Sequence, residues 1–452
     1  MSLHYDSKLK RLMLMMNQAF DQCSQKIDPL VIERMAEVIY QVMSARYRIF
    51  HTMEHIFTAS EGSSGASTFA ALFHDIVYYQ VDKRIHPLLM PHQAEFVLNE
   101  KTNECTLPDL SSERWLSIAG KIFGFKTGQV LNPFNGLNEF LSSVAAARML
   151  SPAVNPPLSD WQTIQVIACI EATIPFRSQA EPDKNSYQLL RQRLGDLKNE
   201  LKFKIDDKEL DQAVRAAVGV ANQDICSFYS DDLGDFVSGT WNLILENNPI
   251  FKNPLYTVID YRKALQKVRG FFMFLKPENV VHEWGGLPAA KDYQTMKQQV
   301  STNLANAIHY LDFKLVEITI LEVLATSSGG DAPYFLFIGE ADPETGKAPI
   351  EQYFPAHQTI DDAPKKNAAV YQVLRYGRKG ESLFDFNHSP IGAFLYESLT
   401  DEEINLSIVS AQQFHEGKMD GKQFIASIRK EVIQLIANAV SEISWSRKTK
   451  LT

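Results

Sequence analysis

The sequence predicts a mainly α protein: a helical bundle with a small α+β unit appended at its C-terminal end. Three observations carry this. Apolar residues recur at helical spacing through the first two thirds of the chain, and helix-start signals precede several of those runs. Near residue 326 the character changes, with the linker-like TSSGGDAP followed by strand-like YFLFIGEA. With 452 residues, 45% hydrophobic and 22% charged, the chain is long enough for two or three cooperative units.

In chain order, MSLHYDSKLKRLMLMMNQAF carries basic residues and then a short apolar cluster. Gln18, Asp21 and Gln22 interrupt that cluster and no A-x-A site follows, so a signal peptide is not expected. Asp28-Pro29 supplies a cap and a first-turn proline, after which Val31, Met35, Val38 and Val42 form one stripe. A second helix is expected to carry His51 and His55. EGSSGAS at 61–67 is a turn, and TFAALFHDIVYY returns to a buried helix. Residues 127–160, with several prolines and NPFNG, read as irregular connection plus a short helix. Ser159 and Gln162 form a capping-box pattern opening WQTIQVIACIEATI. Residues 183–212 read as a solvated helical excursion, and 255–325 as amphipathic helices. Beyond 326, YFLFIGEADPETG reads as strand and turn, and VYQVLRYGRKGESLFDF as a strand with a hairpin. Two capped helices follow, opened by Ser389-Pro390 and by Thr400 with Glu403. The expected domains are 1–325 and 326–452.

The formal net charge of -9 leaves no broad cationic surface, so nucleic acid is not an expected partner. A small phosphorylated substrate remains compatible, because a bound metal supplies local positive charge. Cys23, Cys105, Cys169 and Cys226 are far apart, with no CxxC pair, which suits a reducing compartment. No run of 18 apolar residues exists, so no membrane span is expected and the cytoplasm is the expected location. Homo-oligomerisation is left open.

The chemistry concentrates around His74-Asp75, 19 residues after His55. An imidazole beside a carboxylate in so apolar a run is costly to bury unless it is paired or bound to metal. A single such dipeptide is equally compatible with a satisfied core hydrogen bond. His51 and His55, at i and i+4, are expected on one helical face just before it. A further ligand should be acidic and buried. Asp224 continues the stripe of Leu210, Val214, Ala217 and Ala221, with Asp231, Asp232 and Asp235 as competitors. Glu171 falls on the stripe of Ile164, Ile167 and Ala168, where it would orient a ligand or water, or pair with Arg177. Such donors suit a divalent Mn, Fe, Co, Ni or Zn, and with water also Mg.

The segment RIFHTMEHI…FAALFHDIVYY resembles the metal-dependent phosphohydrolases of the HD superfamily, whose pattern is roughly R-x-Y-H-(N/T)-x-x-H-I followed by A-x-F-H-D-x-V-Y. Arg48, His51, His55, Phe73, His74, Asp75, Val77 and Tyr78 stand at matching positions. VIACIEATIPF, VANQDIC, FFMFLKPENVVHEW and STNLANAIHYL resemble later family segments, so the likeness covers roughly 1–325. It implies an HD-type helical bundle around one metal site, with His55, His74, Asp75 and Asp224 as ligands. Two departures stand out. The family's Asn-Glu shortly after V-Y is replaced by VDKRIHP, with His86 nearby, and its D-L-x-x-L-G by DICSFYSDDLGDF. The metal shell looks kept and the substrate surroundings altered.

The expected activity is metal-dependent hydrolysis of a phosphomonoester or phosphodiester of a small molecule, such as a nucleotide or related metabolite. Asp75 is also a candidate proton acceptor. His51, Arg48, Lys126 and Arg177 are candidates for gripping phosphate. No G-x-x-x-x-G-K-[ST] or G-x-S-x-G occurs, and H-T-M-E-H lacks the metalloprotease order. The competing reading is a ligand-binding or protein-interaction module on the same fold, with weak or no hydrolysis. His357, His388 and His415, the histidines of 326–452, are isolated, so that unit is expected to supply no metal ligand.

Overall fold

The computed structural model describes residues 7–152, 155, 157–176, 185–253, 255–340, 347–355, 367–380 and 384–451. The chain divides into two compact units: Met1–Cys226 with Lys276–Gln298, and Ser227–Leu275 with Gln299–Thr452. Both are mainly helical. Among the described residues, no helix is long and apolar enough to cross a membrane.

The first unit contains helices α1 (Lys8–Gln22), α2 (Pro29–Met43), α3 (Met53–Ala59), α4 (Ala66–Phe73), α5 (Tyr79–Asp82), α6 (Arg114–Phe123), α7 (Leu137–Leu150), α8 (Asp160–Ala172), α9 (Ser186–Glu200) and α10 (Asp207–Asp224). Helix α8 is the axis, with α4, α7 and α10 packed around it. It is buried nearly all round, from Thr163 to Ala172, which is the signature of a core helix rather than a surface one. Its start is fixed by the expected capping box: Gln162 N–H donates to Ser159 Oγ, and Ser159 N–H to Gln162 Oε1. The Asp28 cap also forms, with Leu30 N–H donating to its Oδ1.

Residues 127–160 hold the expected helix between irregular segments, longer and more buried than the expected short one. This is α7, a core helix buried along nearly its whole length. Gly136, at φ +95°, precedes it, and a Cβ there would meet Ile174 Cδ1 at 2.6 Å. Between α5 and α7 the chain also forms a small antiparallel sheet of β1 (Leu98–Asn99), β2 (Glu104–Thr106) and β3 (Val130–Leu131), in that order. Leu98 pairs with Cys105 and Cys105 with Leu131, so one face carries the residues that pack on the core. Strands this short leave little period-two signal in sequence.

The second unit is organised on the part of the helix Ala290–Ser328 that follows Gln298, buried from Tyr310 through Ala325 at nearly every position. The ring of Phe313 meets Tyr396 edge-on at 5.0 Å, and Thr319 Oγ1 shares a hydrogen bond with His415 Nε2 at 2.8 Å. Two buried ion pairs lie in this core. Lys314 Nζ donates to Glu317 Oε1 (3.0 Å) and to Ser389 Oγ (2.8 Å), while Gly392 N–H donates to Glu317 Oε2. Arg378 pairs with Asp385 at 2.7 Å, and Trp241 and Tyr261 also donate to that carboxylate.

Three expectations for the C-terminal part are corrected. The boundary at 325/326 falls inside the helix Ala290–Ser328, and the chain turns only at Gly329 and Gly330, both at positive φ. YFLFIGEA is not a strand but contains the helical turn Phe335–Ile338, and VYQVLRY lies in the helix Ala368–Tyr376. The appended unit is thus helical rather than α+β among its described residues. Short aromatic and β-branched runs favour strands locally, yet here the helix face of Val370, Val373 and Leu374 has a core to enter. The capped helices at Ser389-Pro390 and Thr400–Glu403 do form.

A chain ended at residue 325 should therefore not fold as a domain. It strips Tyr396, His415 and Ser389 from a helix whose buried side chains are each worth about 1.5–3 kcal/mol. Expression of 1–325 beside the full chain, followed by size exclusion, checks this; a monodisperse, cooperatively melting fragment would contradict it.

Candidate metal centre

Four side chains of the first unit converge: His55 from α3, His74 and Asp75 at the end of α4, and Asp224 at the end of α10. Their ligand-type atoms all lie within 4.8 Å of one another. They alternate nitrogen and oxygen around a ring. His55 Nε2 is 3.1 Å from Asp75 Oδ2 and 3.0 Å from Asp224 Oδ1; His74 Nε2 is 3.0 Å from Asp75 Oδ2 and 3.1 Å from Asp224 Oδ1.

Local structure explains the convergence. Helix α4 stops at Phe73, and the His74 ring turns back so that Nδ1 meets the Ala71 carbonyl at 2.8 Å. That bond assigns one proton to Nδ1 and points Nε2 at the two carboxylates. Asp224 is the last residue of α10, and the stripe of Leu210, Val214, Ala217 and Ala221 that leads to it is buried as expected. Asp232 and Asp235 instead pair with Lys379, while Asp231 is exposed; all three belong to the second unit.

The electrostatics require neutralisation. Burial opposes both carboxylates, yet the His74 charge and the imidazole hydrogen bonds bring Asp224 down to about 2, and the charges of His74 and His51 hold Asp75 well below the usual carboxylate range. Burial also opposes charge on the imidazoles, and the two aspartates outweigh it, raising His55 to about 9 and His74 well above its ordinary value. Two protons thus do the balancing that a divalent cation would do. Asp75 Oδ2 is buried with no hydrogen-bond donor, an orphan of the kind a cation satisfies. Around a cation bound at roughly 2.1 Å, right-angled ligands stand about 3.0 Å apart and tetrahedral ones about 3.4 Å. The observed edges of 3.0–3.1 Å bring all four donors within reach of one ion, so the donor set fits a divalent cation.

The remaining expected site residues fare differently. His51 precedes the α3 cap, Thr52, so it does not share a helical face with His55. It still stands beside the cluster, with Nε2 4.0 Å from Asp75 Oδ2 and its ring 3.8 Å from that of Tyr78. Arg48 is not available to grip phosphate. Its five N–H bonds go to Met43 Sδ, the carbonyls of Asp75 and Ile76, and both oxygens of Asp82. Arg48 braces the His-Asp turn from behind. Glu171 is fully buried but outside the cluster, and Arg193 is one partner, at 3.3 Å. Lys126 is exposed in the loop after α6. Arg177 and His357 lie outside the described residues. In the second unit His388 bonds Glu351 and His415 bonds Thr319, so neither joins a ligand group.

One dipeptide was missed. Asn138 and Glu139, in the first turn of α7, lie against the His-Asp turn: Asn138 Oδ1 accepts from Tyr79 N–H and Ser142 Oγ from Val77 N–H, each at 3.0 Å. The signal was a lone carboxylate in the apolar run NEFLSSVAAA.

Comparison with models of protein families, with curated proteins and with solved structures returned no match. Fold and site therefore define the chain as a mainly α protein whose first unit holds a buried His/Asp group able to take a metal ion.

Metal analysis of protein purified without chelator should find about one divalent ion per chain, and His74→Ala and Asp75→Ala should lose both the ion and thermal stability, because ligand binding contributes to folding. Full occupancy in both variants would contradict the ligand set. Calorimetry in two buffers at pH 7 should show about two protons leaving per ion bound, since His55 and His74 must be neutral to coordinate. Affinity should accordingly weaken as pH falls. Arg48→Met should cost about 3 kcal/mol in urea unfolding, because it leaves Asp82 and two buried carbonyls without donors.

Proposed function

We propose that the chain is a metal-dependent phosphohydrolase of the HD type, acting on a phosphomonoester or phosphodiester of a small molecule such as a nucleotide or related metabolite. One observation carries this reading: the alternating ring of His55, Asp75, His74 and Asp224, with Asp75 Oδ2 buried and lacking a donor. The sequence likeness around Arg48–His55 and Phe73–Tyr78 supports it, and so does the Asn138-Glu139 pair. A bound divalent ion would acidify a water and offset charge developing on phosphoryl oxygens. Two carboxylates and two neutral imidazoles would leave the loaded site with no net charge, so an anionic substrate meets no repulsion from its ligands. Two imidazoles and two carboxylates suit Mn, Fe, Co, Ni or Zn, and with water also Mg. His51, whose Nε2 lies 4.0 Å from Asp75 Oδ2, would donate to a phosphoryl oxygen.

The chain's net charge of -9 argues for a small substrate rather than nucleic acid. Among the described residues the four cysteines form no disulfide, which supports a reducing, cytoplasmic setting.

A second reading, a binding module with weak or no hydrolysis, is favoured by Arg48, whose N–H bonds are all spent on the protein itself. A screen of phosphorylated metabolites with Mn, Mg, Co and Ni separates the two. Turnover of a narrow set, with little on generic chromogenic esters, is the expected result. Fully metallated protein that turns over nothing would leave the binding module standing.

A further inference from the structure

The second unit holds a cleft of about 500 Å³ that the metal reading leaves without a role. Three elements line it: the helical turn Pro349–Tyr353, the end of the helix Ala368–Tyr376, and one face of the helix Pro390–Ser398. Pro390, Ala393, Phe394 and Glu397 follow one another at helical spacing, so a single face of that helix is turned to the cleft. Two backbone bonds hold the elements together. Ser389 N–H donates to the Leu374 carbonyl at 2.9 Å and Arg378 N–H to that of Asn387 at 3.0 Å, which sets His388 beside the end of the helix that carries Arg375. Gly377, at φ +96°, permits this crossing, because a Cβ there would lie 3.2 Å from the His388 nitrogen.

The polar groups of the lining differ in what they already bind. Glu351 accepts from Ala348 N–H at 2.9 Å and lies 2.7 Å from His388 Nε2. Glu397 accepts from the Tyr371 hydroxyl at 2.7 Å. Arg375 stands 3.8 Å from Glu397, and among the described residues its guanidinium donates no hydrogen bond. Both carboxylates are thus engaged by protein groups, while the N–H fork of Arg375 is left for a ligand. The apolar part is equally defined. Phe354 and Phe394 stack with ring centroids 4.5 Å apart and planes within 6° of parallel, and Pro349 and Pro390 add apolar walls.

We propose that this cleft binds a small aromatic carboxylate, with the guanidinium of Arg375 taking the carboxylate and the Phe354–Phe394 pair receiving the ring. A planar fork of N–H donors matches two carboxylate oxygens, and an offset stack of rings accepts a further ring. The volume lies within the range of small-molecule sites, about 300–1,000 Å³. Lys347 and Arg375 stand against Glu351 and Glu397 in the lining, which leaves little net charge. That balance suits a ligand with one negative charge better than a phosphate ester with about two. Nothing in this inference depends on the His/Asp group.

Saturation-transfer NMR on the full chain, with phenylacetate as the probe, tests it. Phenylacetate should receive saturation, most strongly on its ring protons. Acetate and benzyl alcohol, which lack the ring and the charge respectively, should bind at least about tenfold more weakly. Arg375→Gln should weaken phenylacetate at least about tenfold, and Arg375→Lys by less, since it keeps the charge and loses the fork. Ala393→Leu, which adds bulk on the face turned to the cleft, should exclude the probe. Phenylacetate that does not bind the wild-type chain overturns the proposal, and so does binding unchanged in Arg375→Gln. Benzyl alcohol binding as well as phenylacetate overturns it too, leaving only an apolar cleft. Should Ala393→Leu not fold, the Arg375 variants decide alone, because that part-exposed side chain surrenders no hydrogen bond. A chain that bound no metal would leave these results untouched, so this site and the metal reading fall separately.

Discussion

Two aspartates buried within reach of one another must be neutralised, and the first unit is arranged around that constraint. Asp75 and Asp224 come from helices 149 positions apart in sequence, and each meets both His55 and His74. Without such counter-charges, self-repulsion in a medium of low dielectric would oppose packing α4 against α10. The surrounding structure holds that geometry. The His74 ring is fixed by the Ala71 carbonyl, the turn after it by Arg48, and the segment beyond by Asn138 and Ser142. Positions set by hydrogen bonds from several elements are what a metal or catalytic constellation requires.

The second unit uses buried charge differently. Lys314 and Glu317, one turn apart on the same helix, are closed off by Ser389 and by the amide of Gly392. Any Cβ at Gly392 would fall 2.8 Å from Glu317 Oε2, so glycine is what lets the helix Pro390–Ser398 approach. Arg378 and Asp385 are satisfied in the same way by Trp241, Tyr261 and Tyr310. Among the described residues none of these groups converges as the His/Asp four do. The RYGRKG cluster, open in sequence to an anion-binding reading, keeps only Arg375 for such a role: Arg378 enters the core and Lys379 pairs with Asp232 and Asp235.

Much of the site was legible because its signals are local. His74-Asp75 in an apolar run, and Asp224 as the next member of a helical stripe, are each visible in a window of a few turns. Capping boxes at Ser159 and Thr400 were legible for the same reason. Arg48 was misassigned because sequence reveals a cation but not where its five N–H bonds go. Glu171 was legible as buried, whereas its partner Arg193 could not be named from spacing.

The sequence by itself determined the helical class, the four converging residues and most helix starts, since these depend on periodicity and side-chain chemistry within a single segment. Only the tertiary structure decided where the units divide. The helix Ala290–Ser328 runs past the apparent linker because its apolar face extends to Ser328, and no local signal separates a shared core from a boundary. It also decided that Phe335–Ile338 and Ala368–Tyr376 are helical, since runs that short adopt whichever form buries their apolar residues. The return of Asn138-Glu139 to the His-Asp turn is of the same kind. Some sixty residues separate Tyr79 from Asn138 in sequence, and a hydrogen bond between them exists only once α7 has packed against α4.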